Sequence, residues 1–597
     1  PRSARTLGLV TLAGVLLAAV ATFLVGRGVD DPVPTLGRTV QLTRDPGLEV
    51  DPALSPDGEM VAFAAGPPTR MQIYVRAVTG GRQLPLTDQQ QTNHRWPRWS
   101  PDGANIAYQS GDGVWVVARM GGPARLVARL PAGTGSSSPG AFTPLAGLTW
   151  APDGRRIVFA GGMGAEGLYL VDVEGGAAAP DRLPSPREPH SPAWSPDGTR
   201  LAVASGNSIF VFGGAYFGNA GQSSIWIVPL DGAEPVRVTE EPYLDVSPAW
   251  SSDGRFLYWV SDRGGSRDVY RVRIDSRHAP VGDPVRITTG LDVHSLDLAS
   301  GAPHLAYANL RTLSNIWSMS VPDDRPASIA EARPVTTGNQ TIEDVDVSAD
   351  GAWLAFDSDR GGDPDIYKLR VGTTEPIRLT THPSGDFAAF WAPDDTRVGF
   401  HSMRNGNRDL FTIAPDGTDL RQVTSSPAHE LDGDWSPDGD AIVAEIIEPG
   451  GVTADAFLVV PLEGGEADAR RIDALGDFAA WSPDGALILY HASDGLRVVG
   501  PEGGNTRLLV SNDADGSEAF YGAWSPDGNT VYYLTRGAEE WAIRSVPRDG
   551  GTSRLVVRFD DPGRQQARYG FTTDGETFYF TLGSHESDVW VVELEGG

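Results

Sequence analysis

The 597-residue chain contains no cysteine, and that absence removes several chemistries at once. Disulfides, thiolate metal sites, a catalytic thiol and a lipid-modified cysteine are all excluded. Lysine is almost missing as well: Lys368 is the only one, so the basic side chains are nearly all arginine. A net charge of −30 argues against nucleic acid as a partner, because phosphate binding needs a basic face. Catalytic signatures are lacking too. There is no G-x-S-x-G nucleophile elbow, no H-E-x-x-H, no Walker-type phosphate loop, and no kinase set joining G-x-G-x-x-G to V-A-I-K and H-R-D. The chain therefore reads as a non-enzyme with no cofactor.

Glycine and proline are what the chain has in quantity, 72 and 46 residues without a three-residue period. That composition favours a turn-rich all-β protein over collagen. The length predicts at least two domains. Charge is unevenly spread between them. Residues 1–332 carry 28 basic and 32 acidic side chains, and residues 333–597 carry 20 and 46. The plain reading of the acidic half is solubility; it would also attract cations or basic peptides.

Leu7 to Gly26 is a run of twenty residues without a charge, long enough for one helix across about 30 Å of hydrocarbon. Arg2 and Arg5 precede it, which predicts a cytoplasmic stub at residues 1–6 and the rest of the chain outside the cytoplasm. The competing reading is a signal peptide cleaved after Ala19-Val20-Ala21; the apolar run continues past that point to Val25, which favours an uncleaved anchor. Because the chain begins at Pro1, sequence is expected ahead of it.

Beyond a linker at 27–38, one pattern recurs. It reads SPDG at Ser55–Gly58, Ser100–Gly103, Ser195–Gly198, Ser436–Gly439, Ser482–Gly485 and Ser525–Gly528, with variants at Ala151–Gly154, Ser251–Gly254, Ser348–Gly351, Ala392–Asp395 and Thr572–Gly575. Its aspartates are 43 to 56 residues apart, except for one gap of 97 that holds a degenerate copy at Ala299–Leu310. Twelve repeats of about 45 residues match the period of four-stranded propeller blades. Within a repeat, proline presets φ, aspartate bonds to nearby backbone, and glycine takes the position with φ > 0. The tryptophans before the turn, Trp99, Trp150, Trp194, Trp250, Trp391, Trp435, Trp481 and Trp524, are expected to pack between neighbouring blades.

Strand phasing suggests the grouping. Thr39–Thr43 and Arg333–Thr336 each look like a fourth strand without the preceding three. Asn315–Val321 and Asp588–Leu594 look like third strands that end the sixth and twelfth repeats. Two six-bladed propellers follow, at residues 39–321 and 333–597, joined by a linker at 322–332; each begins with the strand its last blade lacks, which closes the ring and removes its exposed edges.

These repeats resemble the WD40-like PD40 repeat of TolB-type propellers, on the WSPDG turn, the SDR-x-G-x-x-D-I-Y hairpin (Ser358–Val371) and the closing RLT (Arg378–Thr380). The resemblance implies a propeller. Propellers of this type occur in a periplasmic translocation-associated protein, as caps on prolyl-oligopeptidase-like enzymes, and in bacterial receptors that place a cytoplasmic serine/threonine kinase before one transmembrane helix. The arrangement here looks most like the sensor half of such a receptor kinase, binding a protein, a peptide or a small polar ligand outside the cytoplasm. The alternative is a periplasmic TolB-like scaffold for envelope proteins, and the third reading is the cap partner of a separate hydrolase.

Candidate site residues lie where each repeat enters its innermost strand near a channel mouth. They are Glu49, His94, His190, Asp245 and His294 in the first half, and Glu343, Asp386, Glu430, Asp477 and Glu518 in the second. Carboxylates there suit calcium or a basic peptide end, and a histidine–aspartate mixture suits a transition metal; the competing reading is that they bond to turn backbone or face water. Asp268, Asp365, Asp409 and Asp588 recur before the third strand, as expected of loop bracing. Two insertions stand out: a flexible loop at Leu130–Gly147, and an aromatic loop with Phe210, Phe212, Tyr216 and Phe217 as a candidate partner contact.

Overall fold

The computed structural model describes residues 32–597, apart from 46, 68–69, 88–92, 112, 130–144, 162–166, 176–178, 208–221, 241–242, 324, 449–453, 455, 513–516, 538–540, 562–564 and 597. The expected stub, the membrane helix at 7–26 and the aromatic loop with Phe210, Phe212, Tyr216 and Phe217 therefore lie outside the described residues. No helix among the described residues is long and apolar enough to cross a membrane.

The turn dictates the local unit. In the repeat at Pro189–Arg237, Ser195 Oγ donates to Asp197 at 2.6 Å, Asp197 accepts the Thr199 N–H at 3.0 Å, and Gly198 takes φ 74°. Strand Pro189–Trp194 thus reverses into Arg200–Ser205, followed by Ser224–Pro229 and Val236–Arg237. The closing threonine fixes the last reversal. Thr288 Oγ1 accepts the Val269 N–H at 2.9 Å and donates to Asp268 at 2.8 Å. Thr380, Thr424, Thr43 and Thr336 accept in the same way from Ile366, Leu410, Val589 and Ile316. The hairpin aspartates brace this joint: Asp268 takes Arg286, Asp365 takes Arg378, Asp409 takes Gln422, and Asp588 takes Gln41.

Twelve sheets result, eleven of four strands and one of five; in nine of the four-stranded sheets all strands follow in chain order, as do four of the five strands of the eleventh sheet. All-β architecture of this kind fits propeller blades. The innermost strands, first to twelfth, are Leu48–Leu54, His94–Trp99, Leu145–Trp150, Pro189–Trp194, Asp245–Trp250, Val293–Leu298, Val345–Val347, Asp386–Trp391, His429–Trp435, Asp477–Trp481, Glu518–Trp524 and Gln565–Thr573. They neighbour one another in two closed cycles: the sixth returns to the first, and the twelfth to the seventh. The turns show the same closure. A side chain on Gly103 would meet Pro56 and one on Gly254 would meet Pro196, while one on Gly58 would meet Ala302 and His304 of the sixth sheet, and one on Gly351 would meet Asp574 of the twelfth. Between sheets the core is aromatic and aliphatic. Second-strand Phe63, Phe159, Phe356 and Phe400 are buried and stack on third-strand Tyr74, Tyr169, Tyr367 and Phe411 at 5.5–6.0 Å.

Two sheets break the chain order. Strand Arg311–Ser320, expected as the third strand of the sixth repeat, pairs instead with Thr577–Glu586 and Arg333–Pro334 in the twelfth sheet. Strand Val589–Glu595, expected to end the twelfth repeat, pairs with His304–Asn309 and with Thr35–Gln41 in the sixth sheet. The two halves thus exchange their third strands. The physical reason is continuity. Every pair from His304↔Glu593 to Ser320↔Thr577 keeps one register, so residues 304–320 and 577–593 form a single antiparallel ribbon that runs from one cycle into the other. At the crossing, the Asn309 N–H donates to the Asp588 carbonyl at 3.1 Å and the Asp588 N–H to Asn309 Oδ1 at 2.8 Å.

Two expected connectors are also structured. The outermost strand of the sixth sheet begins at Thr35, inside the expected 27–38 linker. Within 322–332, Ala327–Ser328 pairs in parallel with Val557–Arg558 as the fifth strand of the eleventh sheet, and Ile329 is buried in the 3-10 turn Ile329–Glu331. Because Thr288 satisfies a buried N–H, Thr288→Val is expected to destabilise the chain by about 1–3 kcal/mol. Urea unfolding followed by tryptophan fluorescence measures this.

Candidate sites at the centres of the two cycles

Most innermost strands carry a bulge just after their start, with one residue in the left-handed region. Asp51 (φ 57°), Trp96 (φ 50°), Ser191 (φ 49°) and Ser247 (φ 53°) hold it in the first cycle, and Ala388 (φ 51°), Asp432 (φ 47°), Phe478 (φ 59°) and Tyr521 (φ 36°) in the second. Such a conformation is costly for bulky residues. Carboxylates of the preceding sheet hold several of them by the backbone: Asp51 accepts the Trp96 N–H at 3.2 Å, Asp357 the Ala388 N–H at 3.0 Å, and Glu445 the Phe478 N–H.

The two centres differ in chemistry. In the first, Arg95 donates to Asp51 at 2.5 and 3.1 Å and lies 4.9 Å from the Trp96 ring centre; both members of the ion pair are 2% exposed. The chain's own ion pair is thus sealed at the first centre. In the second, Phe478, Tyr521, Asp344 and Asp432 stay partly exposed. Phe478 and Tyr521 lie 5.5 Å apart between ring centres, and Tyr521 and Phe571 5.6 Å. A side chain on Gly570 would meet Asp344 and Tyr521 together, so the seventh, eleventh and twelfth sheets converge here. Carboxylates beside aromatic faces suit a cationic group.

Deeper along the same strands, the sheets are stitched together. Asp297, Asp346 and Asp434 accept the N–H groups of Leu54, Trp391 and Trp481 of the next sheet at 2.8, 2.8 and 2.6 Å. Burial pushes Asp346 up to about 6 and Asp434 up to about 7, the latter helped by repulsion from Asp346. In the other direction the indole N–H groups of Trp99, Trp150, Trp250 and Trp524 donate to carbonyls of Ala53, Arg98, Ala193 and Ala480 in the preceding sheet. These tryptophans join neighbouring sheets, as their position before the turn suggests.

The ten candidate residues are spread over separate environments. Asp245 and Asp386 are buried and pair with Arg263 at 2.8 Å and Arg404 at 2.7 Å; Glu518 pairs with Arg536. Each partner stands eighteen residues ahead on the following hairpin, a spacing that was visible in the sequence and was missed. His190 is buried between Ser191 Oγ (3.0 Å) and the Gly206 carbonyl (2.9 Å), and burial holds it down to about 4. His94 is buried 5.2 Å from the Tyr108 ring, and His294 is buried, held down to about 3 by burial and by nearby Arg267. Glu49 and Glu430 are buried and pushed up to about 7 by desolvation. The Glu343 N–H donates to Asp357 at 2.7 Å, and Asp477 lies half exposed, 3.6 Å from His491. Among the described residues no three or more histidine or acidic side chains are grouped to hold a metal ion. The bulge residues, which sequence reading passed over, are the ones that converge.

Comparison with known proteins agrees with the repeat. The family model described as the TolB beta propeller domain, PD40, matches residues 185–289 and 331–500. The chain is 36% identical over 61 residues to the Tol-Pal system protein TolB of Desulfosudis oleivorans, covering 10% of this chain and 14% of the relative. It is 30% identical over 146 residues to the Tol-Pal system protein TolB of Bordetella pertussis, covering 19% and 33%. The uncharacterized peptidase YuxL of Bacillus subtilis is 24% identical over 243 residues, covering 37% of this chain and 31% of the relative. The chain spans 14% to 33% of the length of these three relatives. The matches support a PD40, TolB-type β-propeller.

Removing Arg404 would leave Asp386 buried without its cation. Arg404→Ala is expected to cost about 3–5 kcal/mol, whereas Arg421→Ala, from an exposed pair with Asp419, is expected to leave the midpoint nearly unchanged. Denaturant midpoints of the two variants give the comparison.

Proposed function

We propose that the chain is a non-catalytic, TolB-like scaffold of the cell envelope, built from two six-bladed propellers, that binds protein partners outside the cytoplasm. The observation that carries this is the second centre. Asp344 stands partly exposed at Gly570 with Tyr521, which lies 5.5 Å from Phe478, and Asp432 is the partly exposed bulge residue of the ninth sheet, whereas the equivalent place in the first cycle is filled by Asp51, Arg95 and Trp96. A centre that is acidic and aromatic suits a partner segment carrying a basic or amino group next to apolar side chains. The similarity to TolB proteins supports the scaffold over the sensor half of a receptor kinase, and extracytoplasmic placement comes with that resemblance.

Affinity capture from solubilised envelopes tests the reading. The wild-type chain should retain a defined protein partner, and Phe478→Ala with Asp432→Asn should weaken that capture at least tenfold while the circular dichroism spectrum stays unchanged. Partner retention that ignores both substitutions would move the docking surface elsewhere. Turnover of a peptide or oligosaccharide by the purified chain would replace the scaffold with an enzyme.

A further inference from the structure

The C-terminal strand enters the sixth sheet beside a buried carboxylate. Glu49 opens the first innermost strand and is only 3% exposed, and its Oε2 has no hydrogen-bond partner. Ser587, at the point where the exchanged strand crosses, is tied to it twice: the Glu49 N–H donates to Ser587 Oγ at 2.7 Å, and Ser587 Oγ donates to the Glu49 carbonyl at 2.7 Å. The next residue, Asp588, takes the Gln41 amide at 2.9 Å, and Val589 donates to Thr43 at 2.8 Å. Two carboxylates thus flank the first residues of the strand that completes this sheet.

We propose that Glu49 and Asp588 form a proton-dependent latch on the C-terminal strand, which is held in the sixth sheet while Glu49 keeps its proton and is loosened when that proton leaves. The surroundings favour the protonated form. Burial is the main cause, Asp588 and Asp45 add repulsion, the Thr43 hydroxyl opposes by hydrogen bonding, and Arg76 opposes weakly. Asp588 is itself raised by burial and by Glu586, against Gln41 and Arg44. Glu49 moves from its ordinary 4.5 to about 7 in the folded chain. The folded state therefore keeps a proton that the opened strand releases. The stabilisation is whole below about 4.5, declines as pH rises towards about 7, and loses nothing further above that. Ionisation sets a buried negative Glu49 against the partly exposed Asp588, where burial of Glu49 reduces the screening of their repulsion.

Amide hydrogen exchange of the full chain at pH 5, 6, 7 and 8, corrected for intrinsic rates, reads the latch. Protection at Val589–Val592 should fall between pH 5 and 7, by up to about tenfold per unit, and level off above. Glu49→Gln should flatten the profile, and Asp588→Asn, which removes the facing charge, should move the fall to lower pH. A wild-type profile without the fall would overturn the proposal whether or not either variant folds. A fall of the same size and midpoint in Glu49→Gln would overturn it as well.

Discussion

One antiparallel ribbon holds the architecture together. Residues 304–308 pair with 589–593 inside the sixth sheet and 311–320 with 577–586 inside the twelfth, and the register is the same on both sides of the crossing. Each cycle of sheets would otherwise end in a gap one strand wide, with a row of unpaired backbone groups open to aggregation. The ribbon fills both gaps at once, so neither cycle is complete without the other half of the chain. Closure is correspondingly non-local. Thr43 accepts from Val589, 546 residues away, and the first cycle has its full set of strands only when the last strand has arrived.

The seams between sheets repeat a small vocabulary with graded strictness. The serine–aspartate turn recurs with little change because it sets the reversal, and the threonine that ends a repeat recurs because it satisfies a buried N–H of the third strand. The indole of the tryptophan before the turn and the carboxylate two residues before the serine stitch neighbouring sheets in opposite directions, and either can be absent from a given seam. At the bulge near the axis the residue type is free to vary. That freedom gives the first centre a sealed ion pair and the second a partly exposed set of acids and aromatics. The variation in chemistry sits on a constant backbone, which is how a repeat fold carries different binding surfaces.

Much of this was legible in the sequence because it is local. Turn, tryptophan and closing threonine lie within one repeat, so the strand order of nine sheets, and of four strands in the eleventh, follows from spacing alone. The exchange was not legible. Asn315-Ile316-Trp317 and Asp588-Val589-Trp590 present nearly the same pattern to the closing strands, with Ile316 and Val589 donating alike to Thr336 and Thr43, so either strand fits either place by its own residues. The choice is made by the ladder between Arg311–Ser314 and Gly583–Glu586, which exists only when the strands cross. Of the candidate sites, the acids at the strand starts looked free because their arginine partners stand on another hairpin, whereas the converging bulge residues share no residue type and so left no motif.

A disulfide can read the exchange directly, since the chain has no cysteine of its own. Ala306 and Val591 face one another across the ladder of the sixth sheet, although they come from opposite halves of the chain. Ala306→Cys with Val591→Cys should oxidise to a bond that joins the C-terminal strand to the first half, detected by peptide mapping. Failure of that bond to form, with Cys at 591 bonding instead to a cysteine placed in Thr577–Glu586, would show each half keeping its own strand and would contradict the account.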